Sequence, residues 1–287
     1  MRTRVRRIGV HVSISGGLHL SLERAYALGC NTMQIFSHNP RGWAVKGIPQ
    51  GAASYFKTRR KQLNIAPLYI HTSYLINIAS GDRILRKKSL DMLICEMQRA
   101  DAIGADYVIL HTGSAAGYDE QLSRMRAIET LNEIVLSGEW KAGLLLENTA
   151  GEKGDIAATI HSLSEILNHV NESFISGICF DTCHAFAAGY DLRDYKGILN
   201  ISNEIEKYIG IDKVKLFHLN DSKGSLGSHI DRHEHIGIGK IGAKGLQELI
   251  NFEPFRKIPL ILETPKKKET DDPMNLERVR KMIKAKH

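Results

Sequence analysis

Four cysteines in 287 residues (Cys30, Cys95, Cys179 and Cys183) are too few and too scattered to frame a disulfide scaffold. A reducing, cytoplasmic setting is the simplest expectation. No apolar run approaches the ~18–20 residues of a membrane span, so no membrane partner is expected. The basic start, Met1 to Arg7, is not followed by the apolar stretch of a secretory signal. No low-complexity segment or linker divides the chain. No Gly-x-Gly-x-x-Gly follows the first β-rich run, which weighs against an open dinucleotide-binding sheet.

What is present is an ordinary globular composition, 43% hydrophobic and 25% charged, with a net charge of +7. That excludes a fully disordered chain. It permits a nucleic-acid partner without requiring one. The unusual count is thirteen histidines, whose positions matter more than their number.

Eight short apolar runs punctuate the chain: 8–12, 32–36, 68–71, 107–111, 143–147, 177–181, 214–219 and 259–263. Their spacing leaves room each time for a helix and two loops. The intervening segments carry helical periodicity. In Arg83–Gly104, Leu90, Leu93, Met97 and Ala100 share a face and Gly104 supplies the stop. In Ser21–Gly29, Leu22, Ala25 and Tyr26 fall on one side. The stretch 271–287 reads as a basic last helix. Eight strand–helix units predict one α/β domain over residues 1–287, a (β/α)₈ barrel.

Six of the eight runs end on or near a metal-capable side chain: His71, His111, Glu147, Asp181, His218 and Glu263. A lone histidine or aspartate at a strand end is ordinarily a loop or capping residue. Six together require repeated coincidence and the burial of neighbouring carboxylates without cations. In a barrel the strands are parallel, so these ends meet on one face, where barrel enzymes place their sites. His184 follows Asp181 across a tight turn. Asp231 and His233, two apart, face one way in an extended loop. Five histidines and four carboxylates suit Zn²⁺, with Mn²⁺ or Fe²⁺ as alternatives. Nine ligands exceed one tetrahedral ion and fit three, with one carboxylate bridging. Three divalent ions, four carboxylates and a bridging hydroxide leave about one net positive charge, which suits a phosphate ester.

Other features invite a functional reading less strongly. Cys179 shares the strand parity of Asp181 one layer deeper, as a packed thiol would. His161 and His169 fall in a helical stretch. His229 and His235 flank the ligand loop. His11 ends the first run, either as a partner to a ligand or as a loop residue. Lys266–Lys268 directly follow Glu263 at the rim.

With these residues in place, the chain resembles the endonuclease IV family, zinc-dependent apurinic/apyrimidinic endonucleases on a xylose-isomerase-like barrel. The resemblance runs from Gly9-Val-His-Val-Ser to Leu262-Glu-Thr-Pro. It rests on Tyr74-Leu-Ile-Asn77, on Asp181-Thr-Cys-His through Asp191, on His218-Leu-Asn-Asp-Ser-Lys223, and on Asp231-Arg-His233 before Ile236-Gly-Ile-Gly. It implies three zinc ions, with Mn²⁺ as a substitute. His71 and His111 would hold the first. Asp181, His218 and Glu263 would hold the second, with Glu147 bridging the two. His184, Asp231 and His233 would hold the third. Arg41, in Asn39-Pro40-Arg41, would enter DNA, and Tyr74 and Leu75 would form a second penetrating loop. The implied partner is double-stranded DNA with abasic sites or blocked 3′ ends; a monomer is the default expectation. A metal-bridging hydroxide would cut 5′ to the abasic site, leaving a 3′-OH and a 5′-deoxyribose phosphate, with Glu147 and Glu263 as catalytic carboxylates and Glu263 helping to orient the nucleophile. Two other readings remain at this stage. A sugar isomerase or epimerase on the same barrel needs only one or two ions. A non-catalytic DNA-binding protein would need only a structural metal.

Overall fold

The computed structural model describes residues 6–170 and 174–284. The first five residues of the basic start and the last three of the expected final helix lie outside them. In chain order the elements are β1 (Ile8–Val10), α1 (Leu18–Ala27), β2 (Met33–Phe36), α2 (Gln50–Gln62), β3 (Leu68–His71), α3 (Arg83–Ile103), β4 (Tyr107–His111), α4 (Glu120–Leu136), β5 (Gly143–Glu147), α5 (Ile160–Leu167), β6 (Ile175–Asp181), α6 (Thr182–Ala187), α7 (Tyr195–Tyr208), β7 (Val214–His218), β8 (Asp221–Ser222), β9 (His233–Glu234), α8 (Gly242–Asn251), β10 (Leu260–Leu262) and α9 (Asp271–Met282).

Eight of the strands make one parallel sheet in the order β1-β10-β7-β6-β5-β4-β3-β2. A parallel bridge between His11 and Gln34 joins its two ends, and the Val12 N–H donates to the Gln34 carbonyl at 2.7 Å. The expected (β/α)₈ barrel is therefore present, and all eight predicted runs fall on its strands. The small antiparallel ribbon of β8 and β9 had no counterpart in the pattern of apolar runs, because its strands are two residues each.

The strand periodicity of two divides the core. Outward residues such as Ile70, Val108 and Leu146 meet the helices in the main core. Tyr69, Ile109, Leu145, Cys179, Leu216 and Ile261 form a second cluster inside the barrel. Each lies two residues before one of the predicted ligands, so a dry plug forms the floor on which those ligands stand.

Helix ends follow local chemistry. Asp82 caps α3 by accepting from the Ile84 and Leu85 N–H groups, a contribution of about 1 kcal/mol. Gly104 ends the helix with φ 68°, a left-handed conformation that favours glycine. Leu90, Leu93, Met97 and Ala100 are buried as the periodicity requires. The helix read at Ser21–Gly29 begins earlier, at Leu18. Its Leu22 and Ala25 are buried, whereas Tyr26 is 57% exposed, so that side of the helix is narrower than expected. Among the described residues, no helix is long and apolar enough to cross a membrane.

Candidate metal centre

The parallel strands bring the six strand-end residues to one end of the barrel. Glu147 is fully buried at its centre. Its Oε2 lies 3.2 Å from His71 Nε2 and 3.1 Å from His111 Nε2, and its Oε1 lies 2.7 Å from His218 Nδ1. His218 Nδ1 also faces Glu263 Oε2 at 3.3 Å and Asp181 Oδ2 at 3.9 Å. On the next side, Asp231 Oδ1 stands 3.3 Å from His184 Nε2 and 3.4 Å from His233 Nε2. All nine predicted ligands therefore converge. The predicted ligands alone form three groups with every ligand atom within 4.8 Å of the others: His71–His111–Glu147, Glu147–Asp181–His218–Glu263, and His184–Asp231–His233.

Local structure fixes how each ligand points. Asp181 caps α6 through the His184 N–H at 2.8 Å, which turns the chain so that His184 follows it into the site. Asn148 grips the end of β6, accepting from the Asp181 N–H at 2.7 Å and donating to its carbonyl at 3.1 Å. Asn220 donates to Asp181 Oδ2 at 2.6 Å. The ribbon of β8 and β9 carries His233 back over the barrel mouth.

The histidine hydrogen bonds test the fit to metal. A carbonyl oxygen can only accept, so the ring nitrogen facing it carries the proton. His71, His184 and His233 direct Nδ1–H at the carbonyls of Thr72 (2.9 Å), Asn148 (2.9 Å) and Glu263 (3.1 Å). That leaves Nε2 of each facing carboxylates. His218 is reversed: its Nε2 meets Gln34 Oε1 at 2.7 Å and Nδ1 faces the carboxylates. A lone pair aimed at a carboxylate calls for a cation between them, a proton or a metal. His233 Nε2 is buried with no hydrogen-bond partner. A tetrahedral ion with bonds of about 2.05 Å holds its ligand atoms roughly 3.3 Å apart, close to the separations here. The residues fit the group.

Electrostatics agree. Burial alone would raise the Glu147 carboxyl, but the His218 and His111 charges hold it well below the carboxylate range. Burial likewise opposes the shift of Glu263, which His218 and the His11 hydrogen bond keep low. Burial would lower His184 and His218, yet neighbouring carboxylates, Asp181 and Asp231 for His184 and Glu147 and Glu263 for His218, hold both well above their ordinary value. Asp231 is held at about 2 against burial, chiefly by its bond to His184.

The sign for stability follows. The raised histidines stabilise the metal-free fold fully below about pH 6.5 and lose that contribution as pH rises through their folded values. The depressed carboxylates contribute above about pH 4.5 and lose theirs as pH falls. Metal-free protein should thus be most stable between these limits. Metal-loaded protein has no need of the protons. The expected result is that the Tm gap between loaded and chelated protein widens from pH 6 to pH 8.5, by calorimetry at each pH. A gap that stays constant or narrows contradicts this balance.

Above the ligands opens a cavity of 1080 Å³ lined by His71, His111, His184, Asp231, His233 and Glu263, with Asn39, Pro40 and Tyr74 on one wall and Lys266 on another. Tyr74 is 68% exposed, and its ring meets Phe36 edge-on at 5.1 Å. Arg41 and Leu75 stand beside this wall without lining the cavity. The two loops are tied together, since Ser73 Oγ donates to the Pro40 carbonyl at 2.7 Å and accepts from the Leu75 N–H at 3.2 Å.

Cys179 belongs to the plug, and burial pushes its thiol up to about 12. Burial pushes Cys183 up as well. Both sulfurs lie close to ligand atoms, but neither thiol is an available thiolate near neutral pH. His161 is exposed, as is His229, and His235 Nδ1 pairs with Asn275 rather than facing the cavity. His11 proves to be a partner to a ligand, 3.3 Å from Glu263 Oε1. The sequence reading missed Gln34. Its amide nitrogen donates to Glu263 at 2.6 Å and lies 2.9 Å from His11, while its oxygen holds His218. A glutamine carries no charge or metal signature, so nothing but its inward parity marked it.

This architecture and site define a barrel of the xylose isomerase-like class with a polynuclear ligand set, and comparison with known proteins agrees: the family model for the xylose isomerase-like TIM barrel matches residues 22–286. The probable endonuclease 4 of Methanoculleus marisnigri is 41% identical over 97% of this chain and 99% of its own length. The probable endonuclease 4 of Halothermothrix orenii is 45% identical over 91% and 94%. The crystal structure of endonuclease IV from Thermus thermophilus superposes with a TM-score of 0.85 at 32% identity, covering 96% of this chain and 98% of that one. The chain belongs to the endonuclease IV family, and it is an enzyme of the endonuclease class.

Proposed function

We propose that this endonuclease repairs DNA by hydrolysing the phosphodiester 5′ to an abasic site in duplex DNA, leaving a 3′-OH and a 5′-deoxyribose phosphate. The observation that carries the reading is the convergence of nine ligands in three sets, two of them sharing Glu147, beside the loops of Arg41 and Tyr74. His71, His111 and Glu147 would hold one zinc, Glu147, Asp181, His218 and Glu263 a second, and His184, Asp231 and His233 a third. Bound zinc supplies activated water at neutral pH and neutralises the phosphate oxygens and the leaving O3′.

The chain's own residues do the rest. Glu147 ties the first two sets together from the buried floor. Glu263, held by Gln34 and His11, orients groups arriving from the cavity. Arg41, Tyr74 and Leu75 enter the duplex where a base is missing, since such a nucleotide has little stacking left to lose. Blocked 3′ ends present the same ester to the same ligands, so their removal belongs to the same site. The His184–Asp231–His233 set separates this reading from a sugar isomerase or epimerase, which has no use for a third ion. We infer a single-domain monomer working in the cytoplasm.

The test is a duplex with one abasic-site analogue, incubated with and without chelator, alongside elemental analysis. The expected result is a single nick 5′ to the analogue, its loss on chelation and return with Zn²⁺, and close to three metal ions per chain. About one ion per chain overturns the cluster, and an intact duplex with fully loaded protein overturns the activity.

A further inference from the structure

The loop from Ser37 to Lys46 carries Arg41 and Trp43, and one guanidinium grips both of its ends. Arg99, on α3, donates from Nε to Ser37 Oγ at 2.8 Å, from Nη2 to the Ser37 carbonyl, and from Nη1 to the Lys46 carbonyl at 2.6 Å. One helical turn earlier, Glu96 accepts from the Ser37 hydroxyl at 2.5 Å and pairs with His38 Nε2 at 2.8 Å. His38 Nδ1 in turn meets the Asn39 carbonyl at 2.9 Å. Glu96 is 1% exposed and Arg99 9%.

Two features set this apart from ordinary packing. The buried face of α3 is otherwise mostly apolar, and burying charged groups such as Glu96 and Arg99 stabilises little because desolvation offsets the attraction to their partners. Joined through Ser37, these groups are better suited to fixing a geometry. Beneath the loop lies a second cavity of 510 Å³, bounded by Ser37, His38, Asn39, Lys46 and Arg99 among others. Trp43 and Val45 pack against the core, and the polar clamp holds the two ends of the loop beside this cavity.

We propose that Glu96 and Arg99 are positioning residues for recognition of damaged DNA: they preorganise the loop that presents Arg41, so that its ordering is not charged against binding. The inference rests on the endonuclease reading above. Neither side chain is among the metal-site ligands.

The experiment uses full-length, metal-loaded protein. In a Trp140→Phe background Trp43 is the sole tryptophan and reports on the loop. Arg99→Lys keeps a cation that cannot grip both ends, and Glu96→Gln keeps shape without charge. Both are measured well below their Tm for KM, kcat, binding to abasic and undamaged duplex, metal content and acrylamide quenching of Trp43. The expected result is a KM raised about tenfold with kcat within about twofold, an equal loss of preference for abasic duplex, stronger Trp43 quenching and unchanged metal content. Ser37→Ala, which removes only a hydroxyl, carries the test should the charged variants not fold, with a smaller shift the same way. Folded variants with parental KM, preference and quenching overturn the proposal, as does a fall in kcat with loss of metal. A parent that does not nick abasic DNA sinks the functional reading instead, and Trp43 quenching still decides whether the clamp orders the loop.

Discussion

Glu147→Gln is expected to lower incision of an abasic duplex by about 10³-fold or more and to deplete the first two metal sets together. Among the described ligands no other carboxylate has three histidine nitrogens so close: both oxygens are engaged, with His71, His111 and His218 within 3.2 Å and His184 at 3.6 Å. An amide keeps the shape but exchanges an anionic oxygen for a donor, and the donor faces histidine nitrogens that need an acceptor or a cation. The variant should therefore bind less metal and melt lower than wild type in metal-replete buffer. Glu263→Gln provides the contrast. Glu263 lies at the cavity wall and leaves the His71–His111–Glu147 set untouched. Its loss should also collapse turnover while abasic-DNA binding largely survives, because binding draws on phosphate contacts and loop insertion. Metal analysis, a nicking assay and a binding titration on both variants decide the matter. Near-normal turnover in Glu147→Gln would remove it from the centre of the site.

These roles were legible in the sequence to the extent that they depend on strand parity. A parallel strand delivers its last inward side chain to one face of a barrel whatever the rest of the chain does, so His71, His111, Glu147, Asp181, His218 and Glu263 announced themselves by ending apolar runs. The same parity placed Cys179 in the plug below Asp181. His184 and the Asp231–His233 pair depend on turns, and were reached because each lies so near a polar neighbour of the right type. What parity cannot show is which polar residue completes a network across strands. Gln34 serves His218, Glu263 and His11 from a strand on the far side of the chain order, and its usefulness exists only once β2 stands near β7 and β10 in space.

Helix α3 teaches the complementary lesson. Its apolar stripe was readable, whereas nothing in the sequence marked Glu96 and Arg99 as buried. They are buried because the chain after β2 folds over them and supplies Ser37, His38 and the Lys46 carbonyl as partners. A charge becomes acceptable in the interior only when such partners arrive from elsewhere, and a local pattern carries no record of them. Similarly, the sequence placed Lys266–Lys268 at the rim without assigning them a role. The Lys266 ammonium is bound to the His11 carbonyl and to Asp272, so Lys266 braces the rim although, like Lys267 and Lys268, it is exposed.

Replacing Arg41, Tyr74 and Leu75 together by Ala should weaken binding to an abasic duplex roughly 100-fold while changing binding to undamaged duplex far less. An aromatic contact to a base contributes about 1–3 kcal/mol, and filling a gap in the stack also offsets the deformation of the duplex. Undamaged DNA offers no gap, so its binding is mainly phosphate attraction and depends on salt and net charge. None of the three side chains belongs to the ligand sets, and Tyr74 is mostly exposed, so metal content should be unchanged. The competing account is that these residues merely pack the two loops. The edge-on contact of Tyr74 with Phe36 gives that account a definite consequence, a fall in Tm on truncation. The Ser73–Pro40 hydrogen bond does not involve the truncated side chains, so it should keep the loops joined in the variant. Binding titrations with both duplexes at two salt concentrations, with calorimetry and metal analysis, separate the two accounts. A folded, fully metallated triple variant that prefers abasic DNA as strongly as wild type would exclude insertion by these loops.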